Sequence, residues 1–314
     1  MTFAAVFPGQ GSQSVGMLAA LGQRHSEIGA TFAEASELLG YDLARLVAEG
    51  PVEELNRTAI TQPALLAAGI GVWRSWLAEG GPQPAVLAGH SLGEYAALVA
   101  ADAISFASGL RLVRLRGEAM QDAVAEGAGA MAAILGLDAA RLHDLCAEAA
   151  SIGVVTPANF NSPEQTVIAG ERAAVERAGE LAAKAGAKRV IGLAVSVPSH
   201  CALMEPAAKA LGAALAEVEI RPPRIPVLNN VDVAAPASAE AIADALVRQL
   251  TQPVRWTEIV RACRDNYGIV ALAEFGPGKV LSGLARRIDR SLAALPLGEP
   301  AEFEVALQQL TAAA

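Results

Sequence analysis

Cysteine is scarce in this chain of 314 residues: three are present, Cys146, Cys201 and Cys263. An odd number without CxxC spacing excludes a disulfide framework and a thiolate metal site, so buried thiols are expected. Histidine is nearly as rare, with four copies (His25, His90, His143, His200). None sits in an HExxH arrangement or among carboxylates, and no metal site is expected. Long hydrophobic runs are missing too. The longest, residues 63–73, falls well short of the roughly 18 that suggest a membrane span. Positive charge is in deficit, with a formal net charge of −9, which argues against nucleic acid as a partner because counterion release needs a basic face. The opening MTFAAVFPGQGSQ has neither a charged n-region nor an Ala-x-Ala cleavage site, so no secretory signal is read and a cytoplasmic address is expected.

What is abundant is apolar side chain, 53% of the residues, ample for a large core and about two domains at this length. Phe3 to Phe7 form a short apolar run ending in Pro8, Gly9 and Gly11, the pattern of a buried strand emptying into a glycine loop. Helical spacing dominates over 17–46 and 63–77. PAVLAGHS (84–91) is continuously apolar up to its end, as a strand covered on both faces should be. Strands separated by helices predict an α/β fold with a parallel-sheet core.

Residues 128–196 read differently. MAAILGL, DAARLHDLCAEAA, VVTPANF, QTVIAGE, RAAVERAGELAAKAGA and KRVIGLAVS follow the order βαββαβ, that of a ferredoxin-like split unit. Asn161, Ser162 and Pro163 supply the expected hairpin turn. The chain is therefore read as a large α/β-hydrolase-like domain, 1–127 and 197–314, with a small ferredoxin-like domain, 128–196, inserted. After the insertion, LMEPAAKALGAALAEV is expected as helix, IPVLNN as strand, AEAIADALVRQL as helix, and IVALAEFGPGKVL as a strand meeting a glycine turn before a last helix.

The segment LAGHSLGEYAALV (87–99) contains Gly-x-Ser-x-Gly. Alone the match is weak, but here it lies between a strand and a helix, where a serine hydroxyl can be exposed on a tight turn at the sheet's C-terminal edge. The helix N-terminus would aim amide N–H groups at an oxyanion formed there. The structural alternative is a plain helix cap, with Glu94 completing a capping box. A nucleophilic serine needs a base. His90 points away on so sharp a turn and is expected to pack, and His25 and His143 lie on polar helical stretches and are expected at the surface. His200, in SVPSHCALM just past a strand, returns to the same sheet edge.

GHSLGEY and VPSHCALM, together with FPGQGSQ (7–13), TQPALLA (61–67), RLRGEAMQ (114–121), QLTQPVRW (249–256) and EFGPGKVL (274–281), resemble the malonyl-CoA:acyl carrier protein transacylases of bacterial type II fatty-acid synthesis. The likeness runs nearly end to end, and the family carries the same βαββαβ insertion. The resemblance implies Ser91 as nucleophile, His200 as base, and the backbone carbonyl of Gln249 orienting the histidine in place of a carboxylate. It implies Gln10 and Leu92 as oxyanion donors, and Arg116 with Gln62 as the site for the malonyl carboxylate. It further implies malonyl-CoA and acyl carrier protein as partners, no cofactor, and a monomer. Carrier proteins are acidic, so docking is expected at a local basic patch, with Arg286, Arg287, Arg290, Lys184 and Lys188 as candidates.

Three readings stand beside this one: a serine esterase or thioesterase that passes the acyl group to water; a trans-acting polyketide-synthase acyltransferase, to which Ser199 before His200 is relevant; and a non-catalytic assembly role, which the full set of catalytic residue types disfavours.

Overall fold

The computed structural model describes residues 1–193 and 197–312. Strand β1 (Phe3–Phe7), buried at every position, is followed by helices α1 (Ala19–Gly22), α2 (Ser26–Leu39), α3 (Leu43–Glu49), α4 (Val52–Leu55) and the long α5 (Thr58–Ala78). Next come β2 (Val86–Gly89), α6 (Gly93–Ala100) and α7 (Phe106–Asp122). The middle of the chain runs β3 (Gly129–Leu135), α8 (Ala139–Ala149), β4 (Val155–Ser162), β5 (Gln165–Glu171), α9 (Arg172–Lys184) and β6 (Arg189–Gly192). A 3-10 turn (Ala202–Met204) opens the remainder: α10 (Glu205–Leu215), β7 (Val227–Leu228), α11 (Ala239–Gln249), α12 (Trp256–Tyr267), β8 (Ala271–Glu274), α13 (Val280–Ile288), β9 (Ala293–Pro296) and α14 (Pro300–Thr311).

The strands form two sheets. One is parallel throughout, in the order β7-β2-β1-β8-β9; the other is antiparallel, in the order β4-β5-β3-β6. A parallel sheet must be covered on both faces, and β1, β2 and β8 are accordingly buried at every residue. In the antiparallel sheet the side chains alternate. Ala132 and Ile134 of β3 pack with Leu142, Leu145 and Cys146 of α8 and Val175 of α9, while Met131 and Ala133 face the other way with Val167 and Cys201. That period of two is what gives one strand a core on each side.

The element order of the middle segment agrees with the sequence pattern, with local corrections. The turn between β4 and β5 is Pro163–Glu164, because Ser162 still pairs with Gln165. Asn161 instead occupies a register irregularity of β4, between Phe160 and Ser162, and such a bulge re-aims a side chain. The strand expected over IPVLNN shrinks to two residues, and α5 starts at Thr58, five residues before Pro63. The helix expected to be last, α13, is followed by β9 and α14; β9 is a four-residue edge strand whose brevity hides it from periodicity. The end of the strand expected over 188–196, and the boundary expected at 196, fall on 194–196, outside the described residues.

Helix α5 is buried on nearly every side, as its all-round apolar composition requires. It lies against α7 at Gly117, where a Cβ would stand 2.7 Å from Ala59 Cα and 2.8 Å from Thr58 O. Both obstacles are backbone, so a side chain there must push the helices apart. Helix propensity alone would favour alanine over glycine by about 1 kcal/mol. Gly117→Ala is nevertheless expected to destabilise the protein by about 1–3 kcal/mol through overpacking, read as a lower urea midpoint. A midpoint at or above the parent's would refute the contact.

Candidate active site

Ser91 follows β2 directly and has φ 52°, the left-handed region that a non-glycine residue enters at a cost. Two glycines make the corner possible. A Cβ on Gly89 would stand 1.9 Å from Gly93 C, and one on Gly93 would stand 2.0 Å from Phe7 O. The turn is thus folded onto itself and onto the end of β1, with His90 N–H donating to Phe7 O at 3.0 Å. Asn230, just past β7, holds it from the other side: its Oδ1 accepts from Ser91 N–H at 2.6 Å and its Nδ2 donates to Gly89 O at 2.7 Å. Loops after β1, β2 and β7 therefore meet at the C-terminal edge of the parallel sheet, where ligand sites of such sheets lie.

His200 also has a positive φ, 64°. Its Nδ1–H donates to Gln249 O at 2.7 Å, which leaves the Nε2 lone pair facing Ser91 Oγ at 2.8 Å. Burial pushes this imidazole down to about 3, the Arg116 cation adds to the effect, and the Gln249 carbonyl works against it. The ring is neutral at ordinary pH, so Nε2 can take a proton from the serine hydroxyl. The structure brings together Ser91, His200 and Gln249 from three distant parts of the chain.

Arg116, on α7, is 1% exposed. Its Nη1 donates to Gln62 Oε1 at 2.8 Å, and its Nη2 donates to Ser91 Oγ and to Gln249 Oε1, each at 3.1 Å. Gln62 sits on the fully buried part of α5 and must be hydrogen-bonded there; its Nε2 donates to Met120 Sδ at 3.4 Å. Gln62 holds Arg116 from behind, whereas Arg116 borders the pocket with Ser91 and His200. A guanidinium beside a serine–histidine pair can receive a carboxylate next to the atom under attack.

Gln10, in the loop after β1, and Leu92, at the start of α6, line the same pocket. Among the described residues no backbone carbonyl accepts from either N–H, as an anion-receiving pair requires. The antiparallel sheet supplies the opposite wall through Met131, Asn159, Asn161 and Val167, and α13 adds Val280, Leu281 and Leu284. Further along α13, Arg286 and Arg287 are exposed, as are Arg290, Lys184 and Lys188. Arg287 donates to Gln165 and Lys188 pairs with Glu164. Ser199 also borders the pocket.

His90 packs as expected, tilted against Trp256 with centroids 5.5 Å apart, but its Nε2–H also donates to Asn161 Oδ1 at 2.8 Å and its ring reaches the pocket. His143 is exposed. His25 is not a plain surface residue, since its ring lies 4.6 Å from that of Phe303 on α14. Glu94 completes no capping box: its Oε2 accepts from Asn230 N–H at 2.9 Å and Gln249 Nε2–H at 2.8 Å. Sequence reasoning missed Asn230, Asn161 and this use of Glu94. A tandem asparagine directly after a strand was the available signal for Asn230; nothing local marks the others. All three cysteines are buried thiols, and among the described residues no cluster of His, Cys, Asp and Glu could hold a metal.

The acyl transferase domain model matches residues 4–281 of the chain. The malonyl CoA-acyl carrier protein transacylase of Salmonella typhimurium is 56% identical over 307 residues, spanning 98% of this chain and 99% of that protein. Among solved structures, an acyl carrier protein S-malonyltransferase from Vibrio cholerae is 56% identical with a TM-score of 0.94, over 97% of this chain and 99% of that one. A malonyl-transacylase in complex with its type II polyketide-synthase acyl-carrier protein is 55% identical with a TM-score of 0.97, over 98% of this chain and 100% of that one. The chain belongs to the acyl transferase family, among the malonyl CoA-acyl carrier protein transacylases.

Proposed function

We propose that the chain transfers the malonyl group of malonyl-CoA to the phosphopantetheine thiol of acyl carrier protein through a malonyl ester on Ser91. One observation carries the reading: Arg116 Nη2 stands 3.1 Å from Ser91 Oγ. In malonyl the carboxylate is a single methylene away from the thioester carbonyl, so its anchor must lie close to the nucleophile.

In the first half-reaction Ser91 Oγ attacks the thioester carbonyl while His200 Nε2 takes the hydroxyl proton. The C–S bond breaks, and His200 returns the proton to the departing CoA sulfur. In the second, the carrier's thiol loses its proton to His200 and attacks the ester, and the proton passes to Ser91 Oγ. The backbone N–H groups of Gln10 and Leu92 receive the oxyanion of each tetrahedral intermediate. The Gln249 carbonyl keeps His200 in the tautomer that presents Nε2 to the serine. Arg116, held by Gln62, pairs with the free carboxylate. No cofactor enters the scheme. The scheme calls on no residue of a second copy, and a monomer is part of the proposal. No helix among the described residues is long and apolar enough to cross a membrane; the cytoplasmic address remains part of the proposal.

The parallel sheet with its serine turn supports an α/β-hydrolase-like catalytic unit, 1–127 and 197–314. The strand order β4-β5-β3-β6, with two helices on one face, supports a ferredoxin-like insert, 128–196. Exposed Arg286, Arg287, Arg290, Lys184 and Lys188 are our candidates for docking the acidic carrier. A second reading keeps the chemistry and changes the pathway to polyketide synthesis. It is favoured by the 55% identity to a malonyl-transacylase solved with a type II polyketide carrier.

Incubation with malonyl-CoA and holo-carrier should yield malonyl-carrier and, when the carrier is withheld, malonyl-Ser91. Free malonate as the main product would indicate an esterase instead. Arg116→Ala should cut malonyl kcat/KM by about 10²–10³-fold, the loss of two charge-assisted hydrogen bonds, while acetyl transfer is kept or gained. Retained preference for malonyl over acetyl would remove the role of Arg116. His200 should also mark stability. The unfolded chain protonates it near the ordinary value of 6.5, whereas the folded protein keeps it neutral down to about 3. Its contribution is full above pH 6.5 and is lost as pH falls toward 3, at about 1.4 kcal/mol per pH unit. The gap in unfolding free energy between parent and His200→Gln should shift by that slope between pH 7 and pH 5; a constant gap would contradict the buried neutral ring.

A further inference from the structure

Among the described residues, Glu94 is the one acid in the polar cluster around Ser91. It is 2% exposed, has no direct ion-pair partner among the described residues, and has no step in the transfer. Both groups that face its Oε2 are donors, Asn230 N–H and Gln249 Nε2–H. The Gln249 amide is committed at every corner. One Nε2–H goes to Glu94, the other to Ser91 O at 3.1 Å, and Oε1 accepts from Arg116 Nη2 at 3.1 Å.

An amide side chain can turn over with almost no change of shape, so its two ends must be told apart by what surrounds them. An ionised carboxylate accepts and never donates, so it draws the nitrogen end and leaves the oxygen for Arg116. A protonated carboxyl can donate to the oxygen instead. The amide could then turn over, point two N–H groups at the guanidinium, and withdraw a donor from Ser91 O.

We propose that Glu94 is a positioning residue for malonyl recognition: as a carboxylate it sets the orientation of the Gln249 amide, which in turn holds Arg116 beside Ser91. The proposal rests on the malonyl reading above. Burial pushes the Glu94 carboxyl up to about 7, against the pull of its bonds to Gln249 and Asn230 and of the Arg116 charge, so the switch falls near neutral pH. The other groups acting on it are Asp232 after β7 and Tyr95 on its own helix, with His200 across Ser91. Neighbouring β1 and β2 carry no charged side chain, and Arg74 of α5 is taken up by Glu34.

The test follows acylation of Ser91 by malonyl-CoA and by acetyl-CoA, which lacks the carboxylate, between pH 5.5 and 8.5. In the parent, malonyl kcat/KM should fall on the acid side of about pH 7 while acetyl kcat/KM stays flat over that range, because His200 titrates far lower. Glu94→Gln cannot titrate, and its amide oxygen, held by the Asn230 N–H, can accept from Gln249 only without the carboxylate's charge; it should lose the acid limb and show up to about tenfold weaker malonyl kcat/KM at pH 8.5, with a much smaller change for acetyl. An unaltered profile in the variant, or equal losses for both substrates, would overturn the proposal. If the variant does not fold, the parent decides alone: a flat malonyl profile, or the same limb for acetyl, is equally fatal. Formation of malonyl-Ser91 by the parent keeps the malonyl reading intact whichever way Glu94 falls; absence of that ester would remove both.

Discussion

Backbone pressed against backbone holds this site together. The turn after β2 is folded so closely onto itself and onto the end of β1 that neither Gly89 nor Gly93 can carry a Cβ, and Ser91 is caught between them with a positive φ. Hydrogen bonds alone would not keep a serine in that conformation, since each contributes about 1 kcal/mol net and the strain is of similar size. Close packing with no room for an alternative path makes the conformation obligatory. The hydroxyl is thereby presented to a pocket, and the N–H of Leu92, the residue before α6, is left with no carbonyl to serve among the described residues.

Around that corner the polar groups form a closed network. Asn230 bridges both sides of the turn, Gln249 orients His200 with its carbonyl and Arg116 with its side chain, and Glu94 accepts from both Asn230 and Gln249. Buried polar groups are tolerable only when satisfied, and a network satisfied at nearly every atom is rigid. The neutral carbonyl behind His200 is a consequential choice. It fixes the tautomer without the charge that a carboxylate would place there, and beside a buried guanidinium the imidazole stays neutral. In the transfer proposed above, a base that accepts and returns a proton twice in each cycle benefits from that neutrality.

The antiparallel sheet completes the pocket. Bulges in β4 interrupt the regular alternation near Asn159 and Asn161, both of which line the pocket, and Asn161 is hydrogen-bonded to His90 of the serine turn. Phe160 N–H donates to Val254 O and Val254 N–H to Ala158 O, so β4 is stitched to the stretch that follows the orienting carbonyl of Gln249. The wall of the pocket and the segment that holds His200 are thus tied into one framework.

Periodicity and punctuation made most of the architecture legible before any coordinates. The continuously apolar β1 and β2, the βαββαβ order of the middle segment, and a serine between two glycines at a strand-to-helix junction are all local patterns, and local patterns survive in a linear string. What escaped was short or nonlocal: the four-residue edge strand β9, the shortness of β7, and the exact turn after β4, where pairing of Ser162 with Gln165 overrides the turn-forming character of Asn161 and Ser162. The amino-acid order by itself determined the chemical types available, an alcohol, an imidazole, a guanidinium and two donors at helix and loop starts. Only tertiary structure decided that Ser91 and His200, 109 positions apart, lie 2.8 Å from each other, and that Glu94 serves Gln249 rather than its own helix end. Contacts between residues so far apart depend on how whole layers pack, and no window of sequence contains that information.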